Sequence, residues 1–222
     1  MVDIGKLAGK PVVAVITSMA QPLGTHIGNA LEVKDAIDVL AGRTQGDLLE
    51  ISLLLGSHML VLAEKAKTLP EARAMLENAL SSGEGLRKLA EMIAAQGGDS
   101  RVVEDLSLLP QAAVKRVMRA ETAGYLSAMD TTALGMAAQR MGAGRAKKSD
   151  MLDYSVGYVL HVRLGDEVTE DTPLATLYAR NEAEADEAEK AIRKALTIAK
   201  EKPSVPPLWD AVVTAEGITY NR

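Results

Sequence analysis

Val12-Val13-Ala14-Val15-Ile16 is the stretch on which the reading of the fold turns. It is a short, continuous apolar run, rich in β-branched residues and without polar alternation. That is the pattern of a strand buried on both faces, as in a parallel sheet. Upstream, residues 1–8 read as the end of a helix closed by Gly9. A strand entered directly from a helix implies an α/β sheet already in progress, so Met1 reads as an internal position of a larger protein. Downstream, the loop Thr17–Gly28 carries Pro22, Gly24 and Gly28. Asn29 is the expected N-cap of the next helix, with Glu32 as its capping-box partner. That helix, Ala30–Leu40, places Val33, Ile37 and Leu40 on one side and ends at Gly42.

Three further helices are expected over Asp47–Lys67, Pro70–Ser82 and Gly85–Gln96. Gly97-Gly98-Asp99 closes this α-rich section, and a domain boundary is expected there, dividing the chain into 1–98 and 99–222. Beyond it, Gln111–Ala120 and Gly124–Met129 read as strands, Thr132–Met141 as a helix and Gly142–Asp150 as a loop. Gly157–Arg163 and Leu174–Ala179 read as strands, with Gly165-Asp166 turning between them. Asn181–Glu201 reads as one amphipathic helix, and Pro203–Pro207 as an extended segment. The expected fold class is therefore α/β followed by α+β.

Composition excludes several chemistries. The 222 residues contain no Cys, which rules out disulfides, thiolate metal sites and Cys nucleophiles. A net charge of -5 argues against a nucleic-acid surface, which needs clustered cations to displace counterions. Aromatic residues are 3% with no Phe, so a base-stacking platform for single strands is not expected. No apolar run is long enough to span a bilayer and no secretory signal opens the chain, so a cytoplasmic location without membrane partners is expected.

Few motifs rise above their bland readings. Gly142, Gly144, Arg145, Lys147 and Lys148 are the one candidate anion loop, but its context is neither a P-loop nor a dinucleotide fingerprint. A mobile surface loop is the favoured reading. His58 and His161 read as structural histidines. His26 lies in a Gly-rich loop that could turn carbonyl oxygens toward a hard cation, with Glu32 or Asp35 supplying charge. Glu182, Glu184, Asp186, Glu187 and Glu189, followed by Lys190, Arg193 and Lys194, read as a solvated helix face that suits the helix dipole. Ser57 and Ser155 show no triad.

A set of blocks in fixed order resembles the thymidine phosphorylase and pyrimidine-nucleoside phosphorylase family. They are Ile16-Thr-Ser-Met-Ala-Gln-Pro-Leu-Gly24, Gly28-Asn-Ala-Leu-Glu-Val33, Gly56-Ser-His-Met59 in part, and Ala94-Ala-Gln-Gly-Gly98. They continue through Gly124-Tyr-Leu-Ser-Ala-Met-Asp-Thr-Thr-Ala-Leu-Gly-Met136, Met141-Gly-Ala-Gly-Arg145, Asp153-Tyr-Ser-Val-Gly157 and Leu164-Gly-Asp-Glu-Val168. One block would be weak; the ordered set is specific.

The resemblance implies a pentosyltransferase: phosphate displaces a pyrimidine base from C1′ of a (deoxy)ribonucleoside, leaving the sugar 1-phosphate. It implies an α/β domain facing a helical domain, and a barrel-like α+β tail. The family's phosphate loop and base-holding residues do not occur in this sequence. The chain thus resembles a C-terminal half, expected to be inactive alone, whose parent would be a homodimer. The resemblance implies no organic cofactor. It implies a potassium site shared with the other half, to which this chain would bring the backbone oxygens of Leu23 and His26 and the carboxylate of Asp35. Gly142–Ser149, with Arg145, Lys147 and Lys148, resembles the segment that orders near the cleft on closure. The alternatives are a non-catalytic binding or regulatory module derived from the fold, and a related nucleotide phosphorylase. A biotinyl-type carrier is disfavoured, because Lys147 and Lys148 lack the tight hairpin that such attachment needs.

Overall fold

The computed structural model describes residues 1–221. It contains mixed α and β structure arranged in two units built from discontinuous chain: residues 1–18, 38–89 and 206–221 in one, and 19–37 and 90–205 in the other. The elements follow the order α1 (Val2–Leu7), β1 (Ala14–Thr17), β2 (His26–Ile27), α2 (Asn29–Leu40), α3 (Asp47–Leu62), α4 (Leu69–Ser81) and α5 (Glu84–Ala95). Then come β3 (Val114–Arg119), β4 (Gly124–Met129), α6 (Thr131–Ala138), β5 (Gly157–Leu160), β6 (Glu167–Val168), β7 (Pro173–Ala179), α7 (Glu182–Ala195), β8 (Leu196–Ala199), β9 (Trp209–Thr214) and β10 (Gly217–Tyr220).

In the first unit, β1 forms a three-stranded sheet of order β1-β9-β10. Its pairing with β9 is antiparallel, with Val15 opposite Val212. The expected parallel strand buried on both faces is corrected here. Ala14 and Val15 are half-buried, and Ile16 and Thr17 are exposed. The apolar run reported strand tendency but not direction, because the partner is the hairpin β9–β10, nearly two hundred residues later. That hairpin lay beyond the last element read from the sequence. Val39 at the end of α2 packs with Leu49 and Leu53 of α3, with Leu48, Leu76 and Leu80 against them. Thr68 caps α4 by accepting the Glu71 N–H, and Pro70 sits in the first turn as its spacing predicts.

The second unit holds two open antiparallel sheets, of order β2-β5-β7-β3 and β6-β4-β8. Neither closes, so the barrel-like expectation is also corrected. Met118, Leu126, Leu134, Tyr158, Leu160, Leu177 and Ile192 interlock in one core drawn from both sheets, α6 and α7. The Tyr158 hydroxyl donates to the Leu134 carbonyl at 2.8 Å, satisfying a polar atom that would otherwise be stranded in that core. Asp130 caps α6 through the Ala133 N–H. The long helix expected to Glu201 stops at Ala195. Leu196-Thr197-Ile198 instead enters β8 and pairs with β4, where β-branched side chains fit the pleat.

Candidate functional site

The loop of residues 18–28 is built against the segment 156–164. Thr25 O accepts the Leu160 N–H at 2.8 Å, and β2 pairs with β5, His26 opposite Val159. The strands meet at Gly28 and Gly157, where the backbones approach so closely that only glycine fits. A Cβ on Gly157 would lie 2.1 Å from the Ile27 carbonyl oxygen, and one on Gly28 would lie 2.4 Å from that of Val156. Both also have positive φ. Gly28, rather than Asn29, occupies the cap of α2: its N–H donates to the Glu32 carboxylate at 3.3 Å and its carbonyl accepts from the Glu32 N–H at 2.8 Å. Glu32 thus reaches back as expected, one residue further than the sequence spacing predicts. Asn29 Oδ1 is buried without a hydrogen-bond partner.

Of the expected cation ligands, the structure brings the His26 ring and the Asp35 carboxylate together. The Asp35 side chain is only 5% exposed, and its carboxylate lies 3.5 Å from His26 Nδ1. The same ring nitrogen is 3.0 Å from Thr25 Oγ1. Leu23 O, however, faces a guanidinium. Arg163 donates Nη1–H to Pro22 O at 2.7 Å and Nη2–H to Leu23 O at 3.4 Å. Next to it, the Leu164 N–H donates to Gln21 Oε1 at 3.0 Å. These residues do not fit a resident monovalent cation as they stand. A metal ion on Leu23 O would share that oxygen with a fixed positive charge. Among the described residues, no group of three or more His, Asp or Glu side chains could hold a metal ion.

Gly142–Ser149 folds on itself. Gly142 takes φ 106° at the end of a π-helical turn, Gln139–Ala143, that follows α6. Asp150 turns its carboxylate onto the Ala146 and Lys147 N–H groups at 3.1 and 3.0 Å. Arg145 Nε donates to Asp150 O at 3.2 Å, and Arg145 O accepts from Gln139 Nε2 at 2.6 Å. An anion cradle needs backbone N–H groups free to point at the ligand, and two of them are already taken by Asp150. Arg145, Lys147 and Lys148 are exposed. The spacing of the glycines and cations gave no sign of this internal carboxylate.

Elsewhere the bland readings describe the side chains well. His161 Nε2 bonds Thr176 Oγ1 at 2.7 Å. Burial lowers the His58 pKa and leaves its Nε2 without a partner. The acids of α7 are not simply a solvated face, since Arg116 on β3 forms ion pairs with Glu182 and Asp186 and lies 3.7 Å from Glu189. Ser155 donates to Asp153, which holds that carboxyl below the usual range. The residue that sequence reasoning missed is Arg163. Nothing local in His161-Val-Arg163-Leu-Gly-Asp166 announces a partner some 140 positions earlier.

Residues 125–199 match the family described as the pyrimidine nucleoside phosphorylase C-terminal domain. The chain is 46% identical over 214 residues to a pyrimidine-nucleoside phosphorylase of Bacillus subtilis, covering 96% of this chain and 49% of that protein. It is 45% identical over 208 residues to that of Geobacillus stearothermophilus, covering 94% and 48%. With that of Staphylococcus aureus (strain USA300) it shares 42% over 214 residues, covering 96% and 49%. The chain matches the C-terminal half of these curated relatives and spans about half of their length.

Proposed function

We propose that this chain is the scaffold half of a pyrimidine-nucleoside phosphorylase, a pentosyltransferase that splits a pyrimidine (deoxy)nucleoside with phosphate into base and sugar 1-phosphate. The carrying observation is the asymmetry of coverage: 96% of this chain but 49% of the Bacillus subtilis relative. On this reading the groups that grip phosphate and base lie on the other half. Catalysis would come mainly from positioning the reactants and stabilising charge once the halves close. Gly142–Ser149, with Arg145, Lys147 and Lys148, would contribute contacts at that closure rather than bonds to the reacting atoms. The parent is proposed to be a homodimer.

Phosphorolysis of thymidine and uridine by the purified chain tests this, alone and mixed with a polypeptide corresponding to the N-terminal half of the Bacillus subtilis relative. The expected outcome is no turnover by the chain alone and recovered turnover in the mixture. Turnover by the chain alone, in preparations free of host enzyme, would place the reactive groups within these residues and defeat the proposal.

A further inference from the structure

We propose that Arg163 is the built-in cation of the 21–26 loop, and that its guanidinium holds the Pro22 and Leu23 carbonyls where the family resemblance implies a potassium ion. Three observations carry this. The guanidinium donates to both carbonyls, at 2.7 and 3.4 Å. The arginine is itself held, because its backbone N–H donates to Asp166 Oδ2 at 2.7 Å in the turn that follows β5. Its contacts also belong to a continuous lacing: Leu160 N–H to Thr25 O at 2.8 Å, Arg163 to Pro22 and Leu23, and Leu164 N–H to Gln21 Oε1 at 3.0 Å.

An arginine is well suited to this task. Its charge persists at every working pH, and its planar fork offers two N–H groups to two successive carbonyls. A metal ion at Leu23 O would enter beside that fixed charge. With the guanidinium removed, the Pro22 and Leu23 carbonyls become available to an external cation. Arg163 is thus a positioning residue: it sets the path of the loop and touches no reacting atom. The inference takes only the choice of ion from the family reading, and none of its readouts requires turnover, so failure of the phosphorylase proposal leaves it standing.

The test compares wild type, Arg163→Met and Arg163→Lys in potassium chloride and in tetramethylammonium chloride at matched ionic strength, which equalises screening. Thermal midpoint and amide exchange at Leu160 and Leu164 are measured. Wild type is expected to show the same midpoint in both salts. Arg163→Met is expected to lose about 3 °C in tetramethylammonium chloride, to exchange about tenfold faster at Leu164, and to regain midpoint in potassium. Arg163→Lys is expected to keep partial protection without a potassium response, which preserves the test if the methionine variant does not fold. A saturable, potassium-specific stabilisation of wild type overturns the proposal. So does an Arg163→Met protein that keeps wild-type exchange or gains nothing from potassium.

Discussion

The two units treat their apolar residues differently. In the second, Leu126, Tyr158, Leu177 and Ile192 are completely buried, and strand faces, α6 and α7 close around them. In the first, the buried cluster is Val39, Leu49 and Leu53, while Ile4 and Leu7 on α1, Met1 before it, and Leu55, Met59 and Leu62 on α3 face solvent. The α3 residues recur at helical spacing along one face, which is the arrangement that burial against another element would reward. The contrast separates a unit with a large enclosed core, although Met19, Met92 and Met151 on it face solvent, from one with a small buried cluster and an apolar helix face left open. That fits a chain spanning half the length of its relatives.

The sharpest way to break the comparison is truncation on each side of it. Leu177→Ala, in the second unit's core, is expected to cost about 3–5 kcal/mol in urea unfolding. Gly157→Ala would drive a methyl group into the Ile27 carbonyl and is expected to cost about 2–3 kcal/mol, read in the same experiment and in loss of exchange protection at β2. Tyr158→Phe removes the buried hydrogen bond to the Leu134 carbonyl and is expected to cost about 1 kcal/mol.

Acid sharpens the comparison further. The Asp153 carboxyl is depressed by the Ser155 hydrogen bond. Its contribution is therefore present above the ordinary carboxylate range, near pH 4, and is lost as pH falls through the depressed folded value. Asp153→Asn is expected to show a shallower loss of stability between neutral pH and pH 3 than wild type, in urea midpoints taken across that range. The smallest effect belongs to the first unit. Met59→Lys is expected to change stability by no more than about 0.5 kcal/mol while lowering self-association in light scattering. Comparable losses from Met59→Lys and Leu177→Ala would erase the distinction between the units.

Much of the helical layout was legible. Pro70 marked the first turn of α4, Gly42 the end of α2, and Gly97-Gly98 the end of α5, because caps and breakers act within one turn of chain. The ordered blocks pointed to the same family as the curated relatives that the chain matches over about half their length. The candidate site was legible only in part. The His26 ring lies beside the Asp35 carboxylate, but the carbonyl of Leu23 is engaged by a side chain that local pattern could not connect to it. Likewise, the glycines and lysines of 142–149 were visible, whereas the carboxylate of Asp150 that occupies their N–H groups was not.

Sequence alone determined where most helices lie, which chemistries are absent and which family the chain resembles, since these depend on short-range periodicity, composition and ordered motifs. Tertiary structure alone decided that β1 runs antiparallel to β9, that Leu196–Ala199 leaves the helix for a strand opposite β4, and that Arg163 reaches Pro22. The physical reason is common to all three. Strand direction, strand partner and the target of a long cationic side chain are settled by contacts between residues far apart in the chain, whose free energy no local window contains.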